Sequence, residues 1–461
     1  MLRLINQLLG IATVLVWFYF PLRGYDSVAY KARVLAPPLL VVWVAFCCFE
    51  LATSESAIRS LLRSRAKEIF VYSLWLAVVV ANIAFGRGSG GPEVHLLQSA
   101  YGLLWYLGAT AISLQPHGGR KVAFALLITA GTACAIALPT TLQNPALSRL
   151  ASNGITGVIW AAEAERLGIG NYQVFGALSI LIATWIGLTL CESGLWKWLA
   201  FGMTTSIAIS LTLTSSAAQL ALLATSVVCF AVRRTVRSLD RHQLILIGTG
   251  LAIVAAISIG MGVFGDSQFD EKPSLDTVEM SPESALTYSY LKIGHLARSV
   301  ITEGLYEGDD TGRRERFETS WNTFTEHSLI GFGPDTRLEG PGAGVTLHQG
   351  GHAWIIDFLA QYGIVGFAPL LIFIGLVMRR FYKWSLAEPW NGFAFGCLIS
   401  LILFVLHGFK NGMLMHEYPT PMIFSLMGIN GGSVVVAQYS NRRSATPPTQ
   451  SSTVRSAARR S

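Results

Sequence analysis

Repeated apolar runs dominate this sequence and constrain its fold more than any other feature. A helix needs about 20 predominantly apolar residues to cross the hydrocarbon core of a membrane. Such runs occur near residues 4–21, 33–52, 69–86, 96–114, 122–140, 172–190, 244–264, 354–378, 391–408 and 419–437. The pattern predicts an all-α, polytopic integral membrane protein.

One further apolar run, residues 199–232, is harder to interpret. As a single helix it would be about 51 Å long, which is too long for one span and short for two. The polar stretch Thr212–Ser216 lies in its middle and favours a tight hairpin of two short helices. With this hairpin, the sequence predicts about twelve transmembrane helices.

Composition excludes several classes of protein. Charged residues make up 13% of the 461 residues, against about 25% in a typical soluble domain. Too little charge is present to cover a wholly soluble protein, and the apolar content excludes intrinsic disorder. The positive charge is not concentrated on one soluble module, so no nucleic-acid partner is expected.

The distribution of basic residues predicts the orientation, because cytoplasmic loops are enriched in Lys and Arg. With both termini in the cytoplasm, the inside segments hold 20 of the 34 basic residues. The long polar segment 265–351, with 7 basic and 15 acidic residues, then lies outside. We therefore expect a multi-pass membrane protein with both termini in the cytoplasm.

These expectations divide the chain into four parts. Residues 1–264 form transmembrane helices 1–9, and residues 265–351 form one large periplasmic loop. Residues 352–437 form transmembrane helices 10–12, and residues 438–461 form a disordered, basic cytoplasmic tail.

The periplasmic loop is predicted to contain two amphipathic helices that lie flat on the membrane. They cover Glu283–Tyr306 and Arg314–Glu326. The second has Phe317, Trp321 and Phe324 on one face, and Phe317 and Trp321 are expected to pack in the protein interior.

No cofactor or metal site is predicted. The six cysteines lie in or beside apolar runs without a CxxC pair, which favours buried free thiols. Signatures of nucleotide-binding loops, zinc proteases and serine hydrolases are absent from the sequence.

Three motifs fall on the side predicted to be outside. The first runs from Gly312-Arg313-Arg314-Glu315-Arg316-Phe317 through His327 to Gly331-Phe332-Gly333. The second runs from His352-Ala353-Trp354-Ile355 through Asp357 to Gln361-Tyr362-Gly363-Ile364-Val365-Gly366. The third is Arg166-Leu167-Gly168 with Asn171. Taken together, and with their order and spacing along the chain, the motifs resemble those of the O-antigen ligase and polysaccharide polymerase family.

The chain departs from the family pattern at three places. Ala353 stands where the family usually has Asn, and Gln361 replaces the Glu of its Glu-x-Gly-x-x-Gly element. The hairpin that often carries Ser-Arg-Gly reads Ser215-Ser216-Ala217, so one arginine is missing.

The resemblance implies a metal-independent, inverting glycosyltransferase of the bacterial inner (plasma) membrane, with its active site on the periplasmic side. Its donor would be a glycan on a polyprenyl (undecaprenyl) pyrophosphate carrier, and its acceptor either lipid A–core or another lipid-linked repeat. Arg166 and Arg313 would bind the donor pyrophosphate, since guanidinium groups form bidentate hydrogen bonds and stay charged. His352 would be the general base, because the pKa of imidazole lies near neutrality.

Four further residues are candidates for supporting roles: Arg314, Arg316, His348 and Asp357. Asp357 either orients the imidazole of His352 or faces a wet cleft. Partners implied by the resemblance are the donor, the glycan or lipid A–core acceptor, membrane lipids, and proteins of polysaccharide export or chain-length control.

Two alternative functions remain open at this point. A lipid-linked glycan exporter or other transporter would typically show charged residues near the bilayer midplane and internal repeats, and the sequence shows neither. A non-catalytic polysaccharide assembly factor would keep the fold and tolerate loss of His352.

Overall fold

The computed structural model of the chain is helical. It describes residues 2–19, 35–52, 55–85, 92–113, 117–143, 172–214, 217–236, 313–334, 354–386, 391–408 and 419–429. The helices are α1 Leu2–Val14 (continued by a π-helical turn, Leu15–Tyr19), α2 Ala36–Ala52, α3 Glu55–Ala84, α4 Pro92–Ser113, α5 Gly118–Gln143, α6 Tyr172–Cys191, α7 Gly194–Thr214, α8 Ala217–Val236, α9 Arg313–Glu326, α10 Trp354–Ser385, α11 Gly392–His407 and α12 Pro419–Gly428. No strand occurs among these residues, which confirms the predicted all-α class.

Several of the helices suit a membrane. Within the described ranges, three stretches are long and apolar enough to cross one: Arg65–Ala84, Gly118–Pro139 and Trp354–Ser385. Five shorter apolar helical stretches accompany them: Ile5–Trp17, Ala36–Phe49, Gly176–Cys191, Leu222–Arg233 and Gly392–His407. The predicted span 244–264, the predicted helix Glu283–Tyr306 and the tail 438–461 lie outside the described residues.

The apolar run at 199–232 forms two helices, α7 and α8, each about 30 Å long at 1.5 Å per residue. The first residue of α7, Gly194, follows closely on Cys191 at the end of α6. Near its own last turn, α8 carries Phe230, which contacts Phe395 of α11 and lies close to Gly187 of α6. The start of α7 and the end of α8 therefore both lie near the end of α6. Helices α7 and α8 are thus antiparallel, as the predicted hairpin requires.

Helices α6 and α11 pack closely through small residues. A side chain at Gly396 would overlap the carbonyl oxygen of Ala183, so the two backbones approach each other directly. Beside this contact, the Ser400 hydroxyl lies 2.9 Å from the hydroxyl of Thr184 and donates to Ile180 O at 2.8 Å. Small residues and interhelical hydroxyl bonds are typical of helix pairs in membranes.

Contacts between helix ends agree with the predicted alternation of the spans. Arg120 and Glu192 form an ion pair at 3.2 Å, and both belong to segments assigned to the inside. At the opposite end, Ile355 N donates to Gly408 O at 3.3 Å, and both of these residues are assigned to the outside. We refer below to these two sides as the inner and outer ends of the helices.

A buried charge cluster joins four helices toward the inner end. Glu68 of α3 pairs with Arg65 at 3.3 Å and with Arg380 of α10, and it accepts a hydrogen bond from the Tyr106 hydroxyl of α4. Arg380 also donates to the Met427 carbonyl of α12. The predicted span began near residue 69, but α3 begins at Glu55 and carries Arg65 and Glu68 into the bundle, where Arg65 is fully buried.

Candidate active site

Two of the motifs found in the sequence meet in space. The loop after α9, with Gly331-Phe332-Gly333, lies against the middle of the Gln361–Gly366 motif in α10. Phe332 N donates to Ala360 O and Gly333 N to Gln361 O, each at 2.8 Å. In the other direction, Ile364 N donates to Ser328 O at 2.8 Å and Val365 N to Leu329 O at 3.0 Å. We call these four hydrogen bonds the clasp.

The clasp compensates for a break in α10. In an uninterrupted helix, Ile364 N would bond to Ala360 O and Val365 N to Gln361 O. Gly363 interrupts the helix with φ 64° and ψ −177°, a conformation essentially restricted to glycine. The clasp satisfies all four of these backbone groups from the loop, as buried backbone polar groups require.

Glycine is also required for the close approach of the two segments. A Cβ atom on Gly363 would overlap the backbone of Leu329, and one on Gly331 would overlap the Gln361 carbonyl. Gly331 itself has φ 69°. The glycines of both motifs therefore serve one local geometry.

Asp357, predicted as a supporting residue, lies six residues before Gly363 in the same helix. Its side chain is buried, and its Oδ1 accepts a hydrogen bond at 2.7 Å from the hydroxyl of Ser320 on α9. This bond ties α9 to the outer end of α10. A buried carboxylate needs such donors, because leaving it unsatisfied is costly.

The expectation for the packed face of α9 was wrong for Trp321. Trp321 is 44% exposed and contacts Phe324, while Ser320 and Thr323 are buried. The polar side of α9 turns toward the bundle because Asp357 lies there and accepts a hydroxyl donor. The Phe317 side chain lies outside the described part of the structure.

The contacts also set the direction of α9. Ser320 bonds to Asp357, and Ser328 bonds to Ile364. Ser328 comes eight residues after Ser320, and Ile364 comes seven residues after Asp357. The chain therefore runs the same way in both segments. Going back from Ser320 along α9 leads toward Arg316 and Arg313, and going back from Asp357 leads to Trp354, the first residue of α10.

Helical geometry distinguishes the three arginines at the start of α9. Arg313 and Arg316 precede Ser320 by seven and four residues, which puts both positions on the same side of the helix as Ser320. Arg314 precedes it by six residues and lies about a third of a turn away.

Sequence analysis missed a supporting residue on α4. His95 is fully buried, and its Nδ1 lies 2.9 Å from the hydroxyl of Tyr362, next to the break. Ser99, one turn further on α4, accepts from Trp75 Nε1 at 3.3 Å and, through its carbonyl, from the Tyr72 hydroxyl at 2.9 Å. The sequence did offer one signal. His95 and Ser99 are four residues apart in the helix that begins at Pro92, so they lie on the same face of that helix.

The remaining predicted site residues, Arg166, His348 and His352, lie outside the described residues, so their roles remain predictions. In the sequence, His352 stands two residues before the start of α10. Among the described residues, no group of three or more His, Cys, Asp or Glu side chains is arranged to hold a metal ion.

Comparison with known families agrees with the motifs. Residues 198–371 match the family model described as O-antigen ligase, and this segment contains α9, the clasp and the outer half of α10. Arg166 lies before it. No curated protein matches the chain. The resemblance inferred from the motifs is confirmed: residues 198–371 are similar to the O-antigen ligase family.

Proposed function

We propose that this protein is a membrane glycosyltransferase that moves a glycan from a polyprenyl pyrophosphate carrier to an acceptor hydroxyl at the outer face of the inner membrane. The observation that carries the proposal is the clasp. It joins the two family motifs at the outer end of α10, beside the helix that contains Arg313.

The reaction requires stabilisation of negative charge. The acceptor oxygen attacks the anomeric carbon, and the bond from that carbon to the phosphate oxygen breaks with its electron pair on the pyrophosphate. Inversion follows from a single attack on the opposite face. Arg313 and Arg166 would stabilise the leaving pyrophosphate through charged, bidentate hydrogen bonds, without need for a metal.

The proton of the acceptor hydroxyl also needs a destination. His352 would take it as general base, since an imidazole near its ordinary pKa is suited to this role at neutral pH. The parallel course of α9 and the outer half of α10 supports this division of labour, because Arg313 and His352 both precede the Ser320–Asp357 bond.

In this proposal Asp357 is a positioning residue. Its bond to Ser320 holds the arginine-bearing helix against the helix that follows His352. The acceptor is either lipid A–core, which would make the protein a ligase, or another lipid-linked repeat, which would make it a polymerase.

Complementation of a deletion strain tests the function. His352→Ala, Arg313→Ala and Arg166→Ala are compared with wild type at matched membrane levels, with Arg314→Ala as the control on α9. Surface glycan and lipid-linked precursor are measured on gels. We expect the three variants to lose surface glycan and accumulate precursor outside, while the control retains glycan.

The other outcomes separate the alternatives. Full-length glycan from the three variants would show that these residues are not catalytic and would favour an assembly factor. Precursor trapped on the cytoplasmic face would indicate an exporter. The missing product distinguishes a ligase from a polymerase.

A further inference from the structure

Four large apolar side chains form an exposed patch around the clasp. Leu329, Ile330, Ile364 and Val365 are 66%, 56%, 52% and 60% exposed. They belong to one continuous surface, because the backbone of Leu329 accepts from Val365 N and the neighbouring Ser328 accepts from Ile364 N. Two of them come from the loop after α9 and two from α10.

The patch lies at the depth of the hydrocarbon core. Exposed Arg379 marks the inner boundary on α10, since a charged side chain is expected at the membrane–water interface. Val365 precedes it by 14 residues, or about 21 Å at 1.5 Å per residue, within a core about 30 Å thick. Asp357 lies eight residues further toward the outer end, on the other side of the break at Gly363, and is therefore nearer to the outer boundary of the core.

The exposed face of α10 continues from the patch toward the inner end. Leu371 and Ile372 follow Ile364 and Val365 by seven residues, or two helical turns, and are likewise exposed. On a helix of the length and composition of a membrane span, such an apolar stripe faces lipid. Leu329 and Ile330 widen this stripe where the loop meets the break.

The backbone of the break also suits a medium without water. Non-helical backbone at membrane depth requires internal partners for its polar groups. The clasp supplies them for Ala360, Gln361, Ile364 and Val365. Apolar side chains therefore face outward while these backbone groups are paired inward.

We propose that the segment from Ser328 to Phe332 re-enters the membrane and binds lipid acyl chains in the outer leaflet through Leu329 and Ile330. This part of the long loop is then anchored within the bilayer, deeper than Asp357. This inference does not depend on the proposed enzymatic activity.

Spin-label accessibility in reconstituted vesicles of phosphatidylethanolamine and phosphatidylglycerol tests the proposal. Nitroxides are attached at Leu329→Cys and Val365→Cys in the full chain with Cys48→Ser, because Cys48 is the exposed native cysteine. Ile372→Cys serves as the lipid-facing control and exposed Asn322→Cys as the aqueous control. Only monodisperse protein is measured.

Collisions with molecular oxygen report lipid, and collisions with a neutral nickel chelate report water. We expect labels at 329 and 365 to match the label at 372, with high oxygen and low nickel accessibility. Nickel accessibility similar to position 322 would overturn the proposal. Low accessibility to both reagents would overturn it as well, because the patch would then be covered by protein, such as a second copy of the chain.

Discussion

At the scale of single residues, two glycines and one hydroxyl determine the geometry of the candidate site. Gly363 interrupts α10, Gly331 lets the loop approach it, and Ser320 satisfies the buried carboxylate of Asp357. None of these side chains takes part in the proposed chemistry. Each of the three is needed to hold the proposed catalytic residues in position at the outer end of α10.

Replacing Gly363 with Ala is expected to destabilise the protein. The backbone conformation there costs a non-glycine residue about 1–3 kcal/mol, and the new Cβ would overlap Leu329. Gly375→Ala is the matched control, because it lies in the same helix and its Cβ would meet nothing within 4 Å. The unfolding midpoint of each variant is measured in detergent by heating the protein and using size-exclusion chromatography to quantify the fraction that remains folded.

We expect a lower unfolding midpoint and less glycan transfer for Gly363→Ala, and values close to wild type for Gly375→Ala. Equal midpoints for the two variants would mean that the break at Gly363 does not constrain the fold.

Removing the Ser320 hydroxyl is expected to weaken the attachment of α9. Ser320→Ala deprives a buried carboxylate of a donor, at a cost of about 1–3 kcal/mol. Asn322→Ala, at an exposed position on the same helix, should change little. Limited proteolysis of the segment 313–334 in membranes reports the difference, and equal cleavage rates would contradict the role assigned to this bond.

At the scale of elements, the direction of α9 relative to α10 is the informative feature. The pairs Ser320–Asp357 and Ser328–Ile364 make the two segments parallel. Arg313 and Arg316 share the side of α9 that carries Ser320, and Arg314 does not. The proposed function therefore assigns different roles to arginines that look equivalent in the sequence.

Arg316→Ala is expected to weaken donor binding more than Arg314→Ala. Loss of a charged hydrogen bond to phosphate costs about 1.5–3 kcal/mol, or about 10- to 100-fold in affinity. The transfer rate at low concentrations of lipid-linked donor measures this effect. If Arg314→Ala lowers the rate as much as Arg316→Ala does, the face assigned to the donor is wrong.

Most of the helices could be predicted from the sequence, but the candidate site could be predicted only in part. Apolar runs of about 20 residues indicate helices directly, and the polar stretch at Thr212–Ser216 correctly predicted two helices. The motifs around Gly331 and Gly363 were found separately, but nothing in the sequence says that the loop replaces the helical hydrogen bonds of Ile364 and Val365. The roles of His95 and Ser320 depend on contacts with residues far along the chain, and the exposure of Trp321 follows from a partner on another helix.

At the scale of the whole molecule, the candidate site at the outer end rests on a helix bundle whose helices are joined near the inner end by a charge cluster. Glu68 accepts from Arg65, Arg380 and Tyr106, and Arg380 reaches the Met427 carbonyl. Helices α3, α4, α10 and α12 are thereby connected. Helices α3, α4 and α10 also meet at the outer end, where Tyr362 contacts Trp75 and His95.

Glu68→Ala is expected to be strongly destabilising, because it leaves the buried guanidinium of Arg65 and the partly buried guanidinium of Arg380 without their carboxylate. Such a change typically costs about 3–5 kcal/mol. Glu192→Ala is the matched control, since its pair with Arg120 is partly exposed and such pairs contribute about 0–1 kcal/mol. Unfolding midpoints in detergent compare the two, and a small shift for Glu68→Ala would contradict the importance of the cluster.

The most direct test of the account is glycan transfer by the purified protein in proteoliposomes. Lipid-linked glycan is supplied with either lipid A–core or a second lipid-linked repeat, and both the elongated product and the released polyprenyl pyrophosphate are measured. His352→Ala is compared with wild type and with His117→Asn, which changes an exposed histidine at the inner end of the helices. The account predicts product and released carrier in equal amounts from wild type and His117→Asn, and a roughly 100-fold or greater loss for His352→Ala. Transfer at the wild-type rate by His352→Ala would contradict it.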